Sequence, residues 1–151
     1  MIDRNHIAEI VREYIRETDY FLVDVRVSST SRITVLFDRM QGGLMVEDCV
    51  KLSRYLEGRL DRDREDFELQ VSSPGLEMPF LVHGQYIKNQ GRKVEVTDTE
   101  GNMVTGLLRN VTEGGFELTT EVKRKGKEVE IKELSFNFDQ VNKVKSVIEF
   151  K

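Results

Sequence analysis

The stretch Val71-Ser72-Ser73-Pro74-Gly75-Leu76 separates two kinds of sequence pattern. Before it, helical and strand periodicities alternate, and after it most segments are typical of short strands joined by glycine-containing turns. Pro74 fixes its own φ and pushes Ser73 toward extended backbone, while Gly75 has access to angles that a β-carbon forbids. We therefore expect a strand to end at Ser72 and the next three residues to complete an interdomain hinge.

Composition indicates a folded globular protein. The chain has 151 residues, of which 38% are hydrophobic and 33% charged, and only two are prolines. It contains no apolar run of membrane-spanning length, and its first residues lack the apolar core of a signal peptide, so we expect a cytoplasmic protein without membrane contact. A single cysteine, Cys49, excludes an intramolecular disulfide, and with His6 and His83 it matches no common metal-ligand spacing. We therefore expect no metal and no cofactor.

Charge is distributed unevenly between the two expected domains, residues 1–82 and 83–151. The first contains 11 Lys+Arg and 16 Asp+Glu, a net charge of −5, and the second contains 12 and 11, a net charge of +1, which sum to −4. Neither half has the strongly positive balance of a protein that binds nucleic acid through its overall field. Any contact with RNA is therefore expected to be local.

The pattern of residues 1–82 predicts the order helix, strand, strand, helix, strand. Apolar residues at helical spacing occupy 3–18 and 46–60, with Asp3 or Asn5 as the first cap. Period-two alternation between them predicts a hairpin that turns at 28–31. The side chains expected to face the core in its first strand are Phe21, Val23, Val25 and Val27. We expect two helices on one face of a three-stranded sheet, with the second and third strands parallel.

Residues 83–151 predict a small, strongly bent barrel of SH3-like or Sm-like type, so that the fold class of the whole chain is α+β. A short helical turn is expected at 83–90, with Tyr86 and Ile87 on its buried side. Strand-like runs follow at 93–98, 103–111, 115–122, 128–134 and 143–150, and several of their connections contain glycine. Gly106 would permit a bend inside its strand, and residues 137–140 would form the tight turn before the last strand.

Two charged surfaces are candidate sites of interaction. Glu9, Glu13 and Glu17 form a row at i, i+4 spacing on the first helix, which is either a solvated face or a docking surface for a basic protein. The second domain has local basic character, either for contact with rRNA phosphates or as a solubilising hairpin tip. The candidate contact residues in this domain are Arg92 and Lys93, followed later in the chain by Lys123, Arg124, Lys125 and Lys127.

Several motifs resemble those of the ribosome maturation factor RimP family. The stretch Val71-Ser72-Ser73-Pro74-Gly75-Leu76-Glu77 resembles its signature, and Gly42-Gly43 with Glu47-Asp48-Cys49 and Leu52-Ser53-Arg54 is similar to its second helix. The segments similar to its barrel are Gly91-Arg92-Lys93-Val94, Thr105-Gly106-Leu107-Leu108 and Gly126-Lys127-Glu128-Val129. The likeness covers nearly the whole chain in the right order, which is more specific than any single short motif.

The resemblance implies an amino-terminal α/β domain, a carboxy-terminal SH3-like barrel and a non-enzymatic assembly factor. Members of the family bind the free small (30S) ribosomal subunit and assist its late maturation, with contact to the ribosomal protein near the decoding centre and to 16S rRNA. No small-molecule substrate is implied. Two positions depart from the family pattern: Met78 replaces an arginine before the second proline, and Met45 replaces threonine or serine before the second helix.

Two other classes of function remain open from the residues alone. The first is a free-standing RNA-binding module, because KH-type modules share the element order of residues 1–82, although their Gly-x-x-Gly clamp is absent. The second is an enzyme with Ser72 or Ser73 as nucleophile. No Gly-x-Ser-x-Gly elbow surrounds these serines, and the sequence shows no phosphate loop or metal cluster. The sequence therefore favours a binding protein over an enzyme.

Overall fold

The chain divides into two compact units, Met1–Pro74 and Gly75–Lys151. The computed structural model describes residues 2–61, 66–122, 126 and 128–147. These residues form three α-helices, a 3-10 turn and eight strands in two sheets, which is a mixed α+β architecture. None of the helices in these ranges is long and apolar enough to cross a membrane.

The first unit has the predicted order of elements. Their bounds are α1 (Arg4–Ile15), β1 (Tyr20–Val27), β2 (Arg32–Arg39), α2 (Val46–Arg59) and β3 (Glu68–Ser72). β1 and β2 form an antiparallel hairpin, β3 pairs parallel to β2, and the strand order is β1-β2-β3. The parallel pairing, with α2 as the connection, confirms the prediction and places β3 at one edge of the sheet.

A single apolar core holds both helices and the sheet of this unit together. Ile7 and Val11 on α1, Leu52 and Leu56 on α2, and Val35 in the central strand are fully buried in it. Burial of each such side chain contributes roughly 1.5–3 kcal/mol. Because the helices share this core with the same side chains of the sheet, they cover one of its faces, as predicted.

A β-bulge in β1 makes one sequence prediction wrong. The register shifts between Leu22 and Asp24, so that Leu22 pairs with Phe37 on one side of the bulge and Val25 pairs with Val35 on the other. An extra residue inverts the alternation of side chains. The side chains of β1 that pack into the core shared with the helices are therefore Tyr20, Leu22, Val25 and Val27. Phe21 is outside that core, and Val23 is buried as predicted, at 5% exposed, but outside the same cluster.

α1 begins as predicted and ends earlier than predicted. Asp3 is the N-cap, and its carboxylate accepts a hydrogen bond from the Asn5 N–H at 3.0 Å. The helix ends at Ile15, because Arg16 has ψ 133° and Glu17 has φ 64°. Glu17 therefore lies outside the helix, in the left-handed conformation that follows many helix ends.

The second unit is one five-stranded sheet with a short helix before it. Its elements are α3 (His83–Lys88), β4 (Lys93–Asp98), β5 (Met103–Arg109), β6 (Gly115–Val122), β7 (Glu130–Asn137) and β8 (Val141–Ser146). Neighbouring strands pair antiparallel in the order β7-β6-β5-β4-β8. The predicted tight turn is a 3-10 turn at Phe138–Gln140. The predicted last strand was placed too late, and its residues 148–150 lie outside the described residues.

An aromatic cluster fills one part of the core of the second unit. Tyr86 packs against Phe116 and Phe138, with ring centroids 5.6 and 5.0 Å apart, beside the buried strand residues Val94 and Leu118. Tyr86 therefore faces the core as predicted. The same prediction was wrong for Ile87, which is exposed; Gln85 is buried instead and accepts hydrogen bonds from the N–H groups of Leu81 and Val82.

Candidate interaction surfaces

The predicted acidic row is shorter than its spacing suggests. Glu9 and Glu13 are exposed on α1, whereas Glu17 lies beyond the C-terminal end of this helix. A Glu13 carboxylate oxygen lies 3.8 Å from a guanidinium nitrogen of Arg59, and that guanidinium stacks 4.9 Å from the ring centroid of Tyr55. The structure therefore places Glu13 in a contact between α1 and α2, and Glu9 lies at the predicted exposed position on the helix.

An open groove of about 1,100 Å³ in the second unit contains Arg92 and Lys93. Its floor is the outer face of the sheet: β4 pairs Lys93 with Leu107 of β5, and β5 pairs Leu107 with Thr119 of β6. These side chains point away from the core, since their neighbours along each strand are buried. Arg109 adds a third cation on the same face.

Apolar side chains complete this basic groove. Leu76 and Val147 line it with Leu107, and Ile131 of β7 stands at its side with 70% of its surface exposed. Such a combination of cations and exposed apolar groups is suited to contact with a macromolecule, through charge at the rim and burial of apolar area within. Sequence reasoning found the two adjacent cations but missed Arg109 and Ile131, because the register that gathers them is set by strand pairing.

The other predicted basic residues cannot be placed on this surface. Lys123, Arg124, Lys125 and Lys127 lie outside the described residues. Gly126 between them is described and has φ 77°, the conformation that favours glycine in a turn.

The predicted hinge follows the end of β3. Ser72 is the last residue of the strand and pairs in register with Leu36. A turn follows Pro74 and is closed by a hydrogen bond from the Met78 N–H to the Gly75 carbonyl at 3.0 Å. Gly75 does not adopt a positive φ, so the conformational freedom expected of it is not used here.

A polar cluster that sequence reasoning missed joins β1, β2 and α2. The Tyr20 hydroxyl donates a hydrogen bond to Asp48, whose other carboxylate oxygen accepts one from the Met45 N–H at 2.8 Å. Arg39 pairs with Asp19 at 3.3 Å, and its guanidinium lies 5.3 Å from the centroid of the Tyr20 ring. Asp48 lies three positions after the N-cap residue Met45, which is the spacing of a capping box and can be read from the sequence. Its hydrogen bond with Tyr20 cannot be read from the sequence.

Ionisation within this cluster is coupled to its hydrogen bonds. The bond to Asp48, with burial and the negative charge of that carboxylate, raises the pKa of Tyr20 to about 12. The same bond from Tyr20, with that from the Met45 N–H, lowers the pKa of Asp48. The bond from Arg39 lowers the pKa of Asp19. The cluster is therefore built around a neutral phenol and two carboxylates, and it fixes the start of α2 against the sheet.

Reactive side chains elsewhere are held in their neutral forms. Burial raises the pKa of the Cys49 thiol, and the charge of Asp48 adds to this effect. Burial also raises the pKa of Tyr86. Within the described ranges, no group of three or more His, Cys, Asp or Glu side chains has the arrangement of a metal site. The surfaces that the structure does assemble are suited to binding by charge and apolar contact.

Comparison with known proteins places these elements in one family. The family model described as the RimP N-terminal domain matches residues 10–77. The ribosome maturation factor RimP of Porphyromonas gingivalis is 39% identical over 118 residues, which cover 78% of this chain and 77% of that protein. The chain belongs to the RimP family. RimP of Christiangramia forsetii is 31% identical over 135 residues, covering 86% and 87% of the two chains.

A further relative extends the similarity over almost the full length. RimP of Cytophaga hutchinsonii is 25% identical over 163 residues, covering 98% of this chain and 95% of that protein. The matched residues 10–77 include all of α2 and β3 and the stretch from Val71 to Leu76. The RimP resemblance inferred from these motifs is therefore confirmed.

Proposed function

We propose that this chain is a ribosome maturation factor that binds the immature small (30S) ribosomal subunit and assists its maturation. The similarity to proteins named ribosome maturation factor RimP, which covers 78% of the chain at 39% identity, carries this proposal. It acts by binding and not as an enzyme, in the cytoplasm, without a cofactor or a small-molecule substrate.

Each unit offers a surface for such a particle. The groove that contains Arg92 and Lys93 contacts 16S rRNA phosphates, with Lys123, Arg124, Lys125 and Lys127 as further candidates. The acidic first domain, with Glu9, Glu13 and Glu17, contacts a ribosomal protein near the decoding centre, since ribosomal proteins are generally basic.

We also propose two finer assignments for the fold. Residues 1–82 form a domain with KH-like element order, and residues 83–151 form an SH3-like barrel, for which the sheet order β7-β6-β5-β4-β8 and the 3-10 turn before β8 provide support. Ser72, Ser73, Pro74 and Gly75 form the hinge that lets the two domains engage separate parts of one target.

Sedimentation with ribosomal particles tests the proposal. The purified chain is mixed with immature small subunits, mature small subunits and assembled ribosomes, and each mixture is centrifuged. We expect the chain to pellet with immature subunits more than with mature ones, and least with assembled ribosomes. Equal binding to all three, or binding to none, would contradict a role in maturation.

A free-standing RNA-binding module is the second candidate, supported by the cations on the outer face of the second sheet. The two candidate functions predict a different dependence of RNA affinity on salt concentration. A module that reads RNA alone binds naked RNA tightly and loses affinity steeply as salt increases, whereas a maturation factor binds naked RNA weakly and the subunit much more tightly. Titration of naked rRNA fragments and of subunits at several salt concentrations distinguishes the two.

A further inference from the structure

The two edge strands of the first sheet, β1 and β3, differ in how accessible they are to pairing with another strand. At the β1 edge, the bulge between Leu22 and Asp24 interrupts the regular backbone. The Arg4 side chain also donates a hydrogen bond to the Val25 carbonyl at 2.6 Å. Bulges and charged side chains are the usual means by which proteins prevent an edge from pairing with another strand. The β1 edge is therefore closed to strand addition.

The β3 edge has no bulge, and its one charged side chain, Glu68, lies at the start of the strand and pairs with Arg32 of β2. The Glu68 N–H donates to the Ser31 carbonyl at 3.0 Å, so the backbone of Glu68 faces β2. Because successive residues of a strand direct their backbone groups to alternate sides, those of Leu69 and Val71 face outward. In the part of the chain that is described, β3 pairs with β2 alone. Within the described residues, the backbone N–H and C=O groups of Leu69 and Val71 therefore have no strand partner.

A groove of about 740 Å³ runs between this edge and α2. Leu69, Gln70 and Val71 form its strand side. On the helix side, Val46 is 82% exposed and Val50 is 41% exposed. Apolar side chains that stand beside an open strand edge can receive the alternate side chains of an added strand, while the edge itself binds the backbone.

The charge of the first unit indicates what kind of segment would bind. Residues 1–74 contain 11 Lys+Arg and 15 Asp+Glu, a net charge of −4. Arg54 and Glu57 are the charged residues among the described lining of the groove, and nearby on α2 Glu47 forms an ion pair with Lys51 at 3.2 Å. The groove is thus close to neutral inside an acidic unit, which favours a basic chain with apolar side chains at alternate positions.

We propose that the β3–α2 groove binds an extended, basic segment of a small-subunit ribosomal protein by strand addition. The segment pairs its backbone with Leu69 and Val71 and places apolar side chains against Val46 and Val50. This inference rests on the proposed function and adds to it the surface and the mode of contact.

A photo-crosslinking residue at Val50 of the full chain identifies the occupant directly. The labelled chain is bound to purified immature small subunits, irradiated and analysed for the molecule attached. We expect a ribosomal protein, linked through a basic segment. Attachment to rRNA, to a second copy of the chain, or to nothing while the chain sediments with the subunit would each overturn the inference. The same label at Met103, an exposed position of the second unit that belongs to neither proposed surface, is the control for chance proximity.

Paired variants measure the contribution of the groove. Val46→Lys with Val50→Lys places two cations where a basic segment would lie, and we expect affinity for immature subunits to fall about tenfold or more. Met103→Lys, at an exposed apolar position in the second unit, is the matched control and should bind as the unmodified chain does. Circular dichroism verifies that both variants fold.

Amide hydrogen exchange provides a measurement that requires no variant. In the free chain, the amides of Leu69 and Val71 should exchange faster than those of Gln70 and Ser72, which face β2, and subunit binding should slow them. A chain that sediments with subunits but shows no protection in β3, or whose double variant binds normally, refutes the docking surface and leaves the maturation role intact. A chain that binds no subunit refutes both.

Discussion

Gly106 is required for space and not for conformation. A β-carbon added at this position would lie 2.6 Å from the Thr119 carbonyl oxygen and 2.9 Å from the Leu118 Cγ. Both atoms belong to the neighbouring strand β6, which cannot withdraw without breaking its pairing with β5. The sequence suggested a glycine that permits a bend, whereas the structure shows a glycine that permits close approach.

We predict that Gly106→Ala destabilises the protein by about 1–3 kcal/mol, because the added methyl overpacks a well-ordered site. Gly75→Ala is the matched control, since its β-carbon would have Met78 Cγ as its nearest neighbour at 3.9 Å, which is an ordinary contact. Urea denaturation of the two variants and the unmodified chain measures both effects. Equal stability of the two variants would show that β5 and β6 can separate at this point without cost.

Met45 occupies a position where a side-chain acceptor is missing. It is the N-cap of α2, has extended backbone angles, makes no side-chain cap hydrogen bond and is 64% exposed. We predict that Met45→Thr raises the free energy of unfolding by about 1 kcal/mol, because the threonine hydroxyl accepts a hydrogen bond from the first turn. Thermal denaturation measures the change. Met45→Ala, which adds no acceptor, is the control, and a gain of the same size in that variant would contradict the explanation.

Single residues show where sequence reasoning succeeds and where it stops. The local pattern gave Asp3 as one of two candidates for the first cap, and Asp3 is the cap in the structure. Glu17 and Ile87 were placed on helical faces by spacing, but α1 ends before the first, and the second lies on the exposed side of a very short helix. Periodicity locates a helical face well in the middle of a helix and poorly at its ends.

At the scale of elements, the contact between Tyr20, Asp48 and Arg39 joins the hairpin to α2. Tyr20 lies at the start of β1, Asp48 in the first turn of α2 and Arg39 at the end of β2. The connection between β2 and α2 contains Gly42, which has φ 80° and a wide range of accessible backbone conformations. These side-chain contacts therefore fix the position of α2 where the connecting backbone alone does not. Their distance in sequence explains why no local pattern revealed them.

We predict that Tyr20 ionises at about pH 12, above its ordinary pKa of 10.0, because Asp48 accepts its hydroxyl proton in a hydrogen bond. A folded-state pKa above the unfolded one contributes stability that is complete below pH 10 and is lost as the pH rises through about 12. Ultraviolet titration of tyrosinate measures the ionisation, and Tyr20→Phe assigns it. Asp48→Asn should lower the pKa of Tyr20, and an unchanged value would show that burial is the cause.

The bulge in β1 shows why an element can be predicted while its face is not. Strict alternation from Phe21 to Val27 located the strand correctly, yet one extra residue moved Tyr20 and Leu22 onto the core face. A bulge leaves little trace in a short strand whose residues are apolar on both faces. The parallel pairing of β2 and β3 was predictable because a helix joins them, but the order of strands and the open edge required the structure.

At the scale of the whole molecule, charge is separated along the chain. The excess of acid lies in residues 1–82, and the basic groove around Arg92 and Arg109 lies in the second unit. Composition showed this asymmetry and excluded binding through an overall positive field. It could not show which cations share a surface, since residues 92 and 109 meet only through the pairing of β4 with β5.

We predict that the chain binds naked single-stranded RNA weakly, with a slope of log affinity against log salt of about −2, as expected for roughly three phosphate contacts. Arg92→Ala with Arg109→Ala should make that slope shallower and weaken subunit binding. Arg12→Ala with Arg16→Ala, which removes the same charge from exposed positions near α1, is the control. Filter binding across a salt series measures the RNA affinity of both double variants. Equal effects in the two would show that total charge, and not the groove, determines RNA binding.

The parallel pairing of β3 also determines when, during translation, the first unit can complete its fold. During translation α1, β1, β2 and α2 are all made before Glu68 is added, and until then one side of β2 has no neighbour and the core lacks Leu69 and Val71. A parallel strand cannot be replaced by a local hairpin, so this half of the protein completes its fold only after residue 72 has left the exit tunnel. A nascent chain stalled before Glu68 should therefore be cleaved readily by protease, and one long enough to expose residue 72 should resist.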